Sequence, residues 1–121
     1  MTIYQRMDEV FRVADVPGFL QEWRKTDDYP ELPALYAVYN LTRERSAQSA
    51  DDVEIFRRYD VTIWVYGTGD VSEAVAQIED ALGLGGFEMP AAADGYAQVN
   101  GDHIYVMTIQ AVYIDFGEYG P

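Results

Sequence analysis

The sequence contains no cysteine and only one histidine, His103, among its 121 residues. The absence of thiols excludes disulfides, cysteine nucleophiles, zinc–thiolate sites and iron–sulfur clusters. No stretch is apolar over the roughly 20 residues that a transmembrane helix needs. Charged residues interrupt the N-terminal segment 1–13, so it does not have the apolar run of a signal peptide. We therefore expect a soluble protein that begins its life in a cytoplasm.

Basic residues are scarce and unevenly placed. All eight lie before residue 59, whereas the 63 residues from Tyr59 onward contain ten acids and no Lys or Arg, and the formal net charge is −13. Duplex binding needs clusters of basic side chains, so we expect no tightly held nucleic acid. The acidity fits either general solubility or a surface that meets a basic partner or repels DNA.

The remaining composition is that of a folded chain. Hydrophobic residues make up 49% and aromatic residues 14% of the sequence. A chain of this length can bury a substantial core without disulfides or metals. We therefore expect a single domain over residues 1–121, with a loose C-terminal tail at 117–121.

Residues 59–82 predict a strand that is followed by a helix. Side chains alternate between two faces over 61–66, as in a strand, and Gly67-Thr68-Gly69 breaks the pattern. Asp70 is then expected to cap a helix with Glu73 at its third position, and Gly83 to end that helix in the left-handed conformation. The apolar stripe of this helix consists of Val71, Val75, Ile78 and Leu82.

The other elements follow from similar patterns. Thr2 and Gln5 predict a capping box at the start of an amphipathic helix over 3–15. Strands are predicted at 35–41, 53–66 and 103–116, with short strands at 19–23 and 87–90 and a turn at 91–95. Both faces of 103–116 are largely apolar, so we place it beside 61–66 with helices over at least one face. The predicted fold class is α+β: a mainly antiparallel sheet of about 4–5 strands with two amphipathic helices, in the order helix, strands, helix, strands.

The segment 42–52 is polar apart from its alanines and lies between two predicted strands. It predicts a long hairpin loop or a mobile arm. Because the strand at 53–66 would be unusually long, we also expect a bend, a bulge or a hairpin that projects beyond the domain body. The charged residues of this arm are its candidate docking residues: Arg43, Glu44, Arg45, Asp51 and Asp52.

The sequence contains no convincing catalytic constellation. Gly67-Thr68-Gly69 lacks the third glycine of a dinucleotide fingerprint, and Asp70 would repel a phosphate. His103 follows Asp102, and the sequence contains neither a cysteine nor a serine in a nucleophile-elbow motif that this histidine could activate. We therefore expect His103 and Asp102 to form a pair on the surface. The acid pairs at 27–28 and 51–52 lack the spacing of a calcium loop. We expect no enzyme, no cofactor and no metal site.

Tyrosine is abundant, with ten residues, most of them on or beside predicted strands. Some can fill the core, whereas others can present the amphipathic aromatic surface that is enriched at interfaces. Aromatic strand surface without a catalytic constellation favours association with other proteins as the function.

Five segments follow the first predicted helix in a fixed order: PELPALYAVYNLTRE, the polar SADD loop, RRYDVTIWVYGTGD, an acidic helix that ends in LGLGGFEM, and HIYVMTIQAVYI. In this order and spacing the chain resembles the tail terminator proteins of long-tailed bacteriophages and prophages, also called tail completion or minor tail proteins. The resemblance covers nearly the whole chain. Its motifs are patterns rather than catalytic residues, and the family has no catalytic residues to carry over.

The resemblance implies a structural virion protein. Its subunits form a ring, usually a hexamer, that caps the tail tube, ends tail growth and provides the surface for head joining. The implied partners are further copies of the chain, the tail tube protein and the head–tail connector protein, with no membrane. The implied location is the tail of the virion, after assembly in the host cytoplasm. A hexamer would carry a formal charge of −78, six times −13, so DNA could pass through the ring without specific binding if acids line the lumen.

A ring that closes by rotation needs a heterologous contact between neighbouring subunits. Arg57 and Arg58 are the last basic residues before the acidic half, so they are candidates for this contact. Their expected partners are Glu73, Glu79 or Asp80 on the second helix of a neighbour. The alternative is a small monomeric or dimeric α+β domain that binds a ligand or acts as an adaptor. A nucleotide-handling enzyme is a more distant third possibility.

We predict that His103→Ala changes neither folding nor assembly, because the sequence offers this histidine no nucleophile or metal cluster to serve. Thermal melting and complementation of virion assembly are the two measurements. Normal melting together with lost assembly would contradict the prediction and give His103 a functional role.

Overall fold

A computed structural model describes residues 2–21, 33–48, 54–89, 94–99 and 104–115, with the backbone alone at 42–48, 54–57, 94–99, 104 and 115. This part of the chain contains two helices and five strands. The helices are α1 (Ile3–Ala14) and α2 (Ser72–Leu84). The strands are β1 (Gly18–Leu20), β2 (Leu35–Gln48), β3 (Glu54–Gly67), β4 (Asp94–Val99) and β5 (Ile104–Asp115). Neither helix has the length and apolar character needed to cross a membrane.

The strands form one sheet in the order β1-β2-β3-β5-β4. β1 runs parallel to β2, and the other three neighbouring pairs are antiparallel. The predicted α+β class with a mainly antiparallel sheet is therefore confirmed. The predicted position of β5 beside β3 is also confirmed, because eleven register pairs join them from Arg57–Asp115 to Gly67–Tyr105.

Helix α1 begins and ends for local reasons that are visible in the sequence. Thr2 Oγ1 accepts a hydrogen bond from the Gln5 amide at 3.1 Å, and the Thr2 amide donates to Gln5 Oε1 at 2.7 Å, which confirms the capping box. At the other end Asp15 is left-handed, with φ 58°, and its amide donates to the Arg12 carbonyl. Pro17, two residues further on, cannot continue the helix.

Two details predicted for α2 are wrong. Its N-cap is Val71 rather than Asp70, although Asp70 Oδ1 accepts from the Ser72 hydroxyl at 2.6 Å and the Ser72 amide at 2.9 Å. Those hydrogen bonds lower the pKa of Asp70. Gly83 lies inside the helix, and the left-handed residue is Gly86, with φ 85°. The helix continues because the Gly85 amide still donates to the Ala81 carbonyl.

Both helices pack on the same face of the sheet. The register places Ala37, Val65 and Met107 across three strands, and Tyr39, Ile63 and Ile109 one step further along. These six residues belong to or pack against one hydrophobic core cluster, together with the apolar stripes of the two helices: Ile3, Met7, Val10, Phe11 and Ala14 of α1, and Ala74, Val75, Ile78, Ala81 and Leu82 of α2. The alternation of β3 therefore decides which sheet face the helices cover.

The predicted loop at 42–52 is wrong over 42–48, because β2 continues to Gln48. Its polar residues pair with β3 as far as Gln48–Glu54, so the ladder satisfies their backbone groups although they lack apolar alternation. Register shifts occur between Leu41 and Arg43 and between Ala47 and Gln48, as expected for so long a strand. Residues 49–53, like the tail at 117–121, lie outside the described residues.

The edge of the sheet beside β5 contains a strand that was not predicted. β4 occupies 94–99, whereas the sequence pattern assigned Asp94 and Gly95 to a turn. The expected short strand at 87–90 is reduced to a bridge in which Glu88 and Val112 exchange backbone hydrogen bonds of 2.8 and 2.7 Å. Phe87 is buried in the core beside this bridge. A strand of six residues that pairs on one side leaves a weak period-2 signal.

Gly18 and Gly83 provide a matched pair of substitutions. A Cβ at Gly18 would overlap the buried ring of Phe11, whereas nothing lies within 4 Å of a Cβ at Gly83. We predict that Gly18→Ala destabilises the fold by about 1–3 kcal/mol, because the core is already full there. Gly83→Ala should be neutral or stabilise by up to about 1 kcal/mol, because alanine favours the helix. Urea unfolding of both variants tests this, and equal effects would contradict the packing around Phe11.

Candidate interaction surfaces

The sheet face opposite the helices carries a second set of aromatic and apolar side chains. Tyr36 and Tyr66 are register partners, and their rings stack with centroids 5.1 Å apart at an interplanar angle of 16°. Val38 lies opposite the half-buried Trp64. Val38 and Val112 are buried but lie outside the core cluster, in agreement with their positions on this second face. Neither described helix covers this face, which we call the aromatic face.

Arg58, a candidate subunit-interface residue, lies on the aromatic face because it alternates with the buried Tyr59. Its Nε donates to Asp60 Oδ1 at 3.1 Å, and its terminal nitrogen lies at the same distance from that oxygen. The Arg58 side chain is still 47% exposed, so this ion pair contributes little to stability. The side chain of Arg57 lies outside the described residues.

The three acids proposed as partners lie on the other side of the molecule. Glu73 and Asp80 are exposed on α2 and Glu79 is half-buried there, and α2 packs on the sheet face opposite Arg58. None of the three forms an ion pair with another described side chain. The structure does not bring Arg58 and these acids together within one subunit, so a contact between subunits stays a prediction.

The candidate docking arm is described only in part. Arg43, Glu44 and Arg45 are paired residues of β2, but their side chains are not described. Arg45 is the register partner of Arg58, so the hairpin places two cationic residues directly opposite each other. Asp51 and Asp52 lie outside the described residues.

A groove between the two helices was missed by sequence reasoning. It is lined by Arg6, Glu9, Val10 and Val13 of α1, by Ala81, Leu84 and Gly85 at the end of α2, and by Phe87. Val13 is 48% and Leu84 82% exposed, although both are large and apolar. The guanidinium carbon of Arg6 lies 4.5 Å from the centroid of the Tyr113 ring, which in turn packs on Phe87. The groove therefore combines an apolar floor with the cation of Arg6 and with the acid of Glu9, which pairs with Arg12.

The sequence gives only a weak signal for this groove. Arg6 lies on the flank of the α1 stripe, between Ile3 and Val10, where a cation is ordinary. Its contact with Tyr113 joins two elements that are far apart in the chain, and Leu84 was expected to follow the end of the helix. Only the packing of α1 on β5 and α2 shows that these residues are neighbours.

The described parts of the chain contain no group of three or more His, Asp or Glu side chains that could hold a metal ion. His103 and Asp102 lie outside those parts, as do the acid pairs at 27–28 and 51–52. The fold and its surfaces define a small α+β domain with an aromatic sheet face and an interhelical groove. No protein-family model matches the sequence, and the search of curated proteins finds no match. Functional inference therefore depends on the residues themselves.

We predict that reversing Arg57 and Arg58 together to Glu weakens subunit assembly but leaves the fold intact. Arg58 is exposed and its pair with Asp60 is weak, so melting should change little. Assembly on a native tail tube and thermal melting are the measurements. The double Gln variant is the control, because it removes both positive charges without adding negative ones. Unchanged assembly of the Glu variant would exclude these arginines from the subunit contact.

Proposed function

We propose that this protein is a tail terminator subunit, which forms a ring on the end of a phage tail tube. The ring stops growth of the tube and offers a surface to the head–tail connector. The proposal starts from the order and spacing of the sequence segments that resemble the terminator family. It assigns the chain no catalysis, no cofactor and no membrane partner.

The β2–β3 hairpin is the structural observation that carries the proposal furthest. Each strand has fourteen residues, about twice the usual strand length. Their pairing continues to Gln48–Glu54, beyond Arg57–Asp115, the pair at which the described part of β5 ends. A paired hairpin of this length is suited to reach a neighbouring subunit or the end of the tube.

A ring subunit also needs two different lateral surfaces, because a closed ring is built from heterologous contacts. The aromatic face and the helix layer are on opposite sides of the sheet and differ in chemistry. The former carries stacked tyrosines and the Arg58–Asp60 pair, whereas the latter carries acids of α2 that pair with no described side chain. Such unlike faces support a head-to-tail arrangement of copies.

The charge of the chain supports a passage for DNA rather than a binding site. A net charge of −13 per subunit repels the phosphate backbone, and the acidic half has no cation to hold it. The rival function is a small monomeric or dimeric α+β domain that binds a ligand or acts as an adaptor. Measuring the size of the complex that the protein forms on isolated tail tubes distinguishes the two functions, because only a terminator forms a ring there.

We predict that shortening the hairpin abolishes termination or head joining without loss of stability. The variant replaces residues 47–56 with Asn-Gly, a sequence that favours a two-residue hairpin turn, between the register partners Ser46 and Arg57. The core residues lie beyond the deleted part, so thermal melting should stay unchanged. Tail length and head joining in a complementation assay are the functional measurements.

The matched control keeps the length of the hairpin and removes only charge, by Asp51→Asn together with Asp52→Asn. Loss of function in the short variant alone indicates that the length of the hairpin is needed. Loss in both variants indicates that the Asp51 and Asp52 carboxylates take part in docking. Tails of normal length that join heads in both variants would show that the hairpin is not the docking element.

A further inference from the structure

The interhelical groove contains a cation, Arg6, that pairs with none of the described acids. Three arginine side chains are described, and two are paired: Arg12 with Glu9 on α1, and Arg58 with Asp60 on β3. Arg6 has no ion pair within the described part of the chain, although 21 acids outnumber eight basic residues in the sequence. Its Nε is shielded from solvent and finds no hydrogen-bond partner among the described residues. Glu9 also lines the groove, but it pairs with Arg12. The accessible part of the half-buried Arg6 guanidinium therefore favours a carboxylate that another molecule supplies.

Leu84, which lines the same groove, has an exposed acid one helical turn before it. Leu84 and Asp80 are four residues apart on α2, so they lie on one side of the helix, one turn from each other. Both are exposed, and Asp80 has no partner among the described side chains. Leu84 thus projects as an apolar knob, and Asp80 provides a carboxylate beside it.

One patch therefore carries both halves of a contact. The receiving half is the apolar groove with Arg6, and the inserting half is Leu84 with Asp80. A surface that complements itself in this way is the requirement for a two-fold, isologous interface. Charge complementarity adds to the apolar contact, because Arg6 of each copy would meet Asp80 of the other, and neither pairs with a described side chain of its own chain.

We propose that this patch pairs two copies of the chain about a two-fold axis. Leu84 of each copy enters the groove of the other, and Asp80 of each copy binds Arg6 of the other. Arg6 is held in place for this contact by its stacking on Tyr113. The inference does not depend on the proposed ring, since ring contacts are heterologous and this contact is isologous. Both contacts would use the helix layer, and Asp80 is a candidate partner in each, so one copy makes only one of them at a time.

Sedimentation velocity of the full chain, from about 5 to about 500 μM, measures the pairing. The salt concentration should be about 0.15 M, where long-range repulsion between two acidic copies is screened. We expect a concentration-dependent dimer for the natural sequence. Arg6→Gln, Asp80→Arg and Leu84→Ser should each raise the dimer Kd by about tenfold or more, because each removes one half of the contact. Asp80 and Leu84 are exposed, so their variants should melt normally even if Arg6→Gln does not.

Matched controls carry the same chemical changes outside the groove. Arg58→Gln alters an arginine that pairs with Asp60 on the opposite sheet face, and Glu79→Arg reverses an acid about 100° around α2 from Asp80. Both controls should keep the dimer Kd. The charge exchange Arg6→Glu with Asp80→Arg in one chain should restore pairing relative to Asp80→Arg alone.

A chain that stays monomeric over the whole range would overturn this inference, as would variants and controls with equal effects. A hexamer that is insensitive to all three variants would also overturn it, yet would support the ring. The complementation assay judges the terminator function separately, so failure of one proposal is distinguishable from failure of the other.

Discussion

Burial of one face of β3 is the constraint on which the rest of the structure depends. Val61, Ile63 and Val65 are almost completely buried, and each has apolar or small neighbours in both flanking strands. The apolar stripes of both helices belong to the same core cluster as this face of β3, so the helices pack where that face is. Removing that burial would leave α1 and α2 without a reason to pack side by side. The interhelical groove exists because these two helices meet there.

The same constraint produces the aromatic face. Since side chains alternate, every residue that β3 sends to the core is followed by one on the opposite side. Trp64 and Tyr66 are placed there by the positions of Ile63 and Val65, and stacking on Tyr36 shields part of their surface. Burial raises the pKa of Tyr36, with the nearby Tyr66 as a second cause. Tyr36, Trp64 and Tyr66 are half-buried, so each keeps some accessible aromatic surface of the kind that is enriched at interfaces.

Much of the fold could be predicted because its elements are encoded locally. The capping box of Thr2 and Gln5, the alternation of 61–66 and the stripe of α2 each lie within one short segment, and all three were confirmed. The errors lie in segments whose secondary structure depends on the strand that pairs with them. Residues 42–48 are strand because β3 lies beside them, and β4 is strand because β5 does. The end of α2 was misplaced because a glycine can lie in a helix when the next turn still forms.

The candidate surfaces were less predictable than the fold, for the same physical reason. Charge asymmetry in the sequence drew attention to Arg57 and Arg58, but charge alone does not show which cation already has a partner. Asp60 lies two residues from Arg58 and pairs with it. The two side chains are on the same face only because residues 58–60 form a strand, so the pair can be recognised only after the strand is known. Arg6 shows the converse. By pattern it is an ordinary helix residue, but it stacks on Tyr113 and forms no ion pair with a described acid. In a chain with 21 acids and eight basic residues, a cation held away from every described carboxylate is a feature that folding alone does not require.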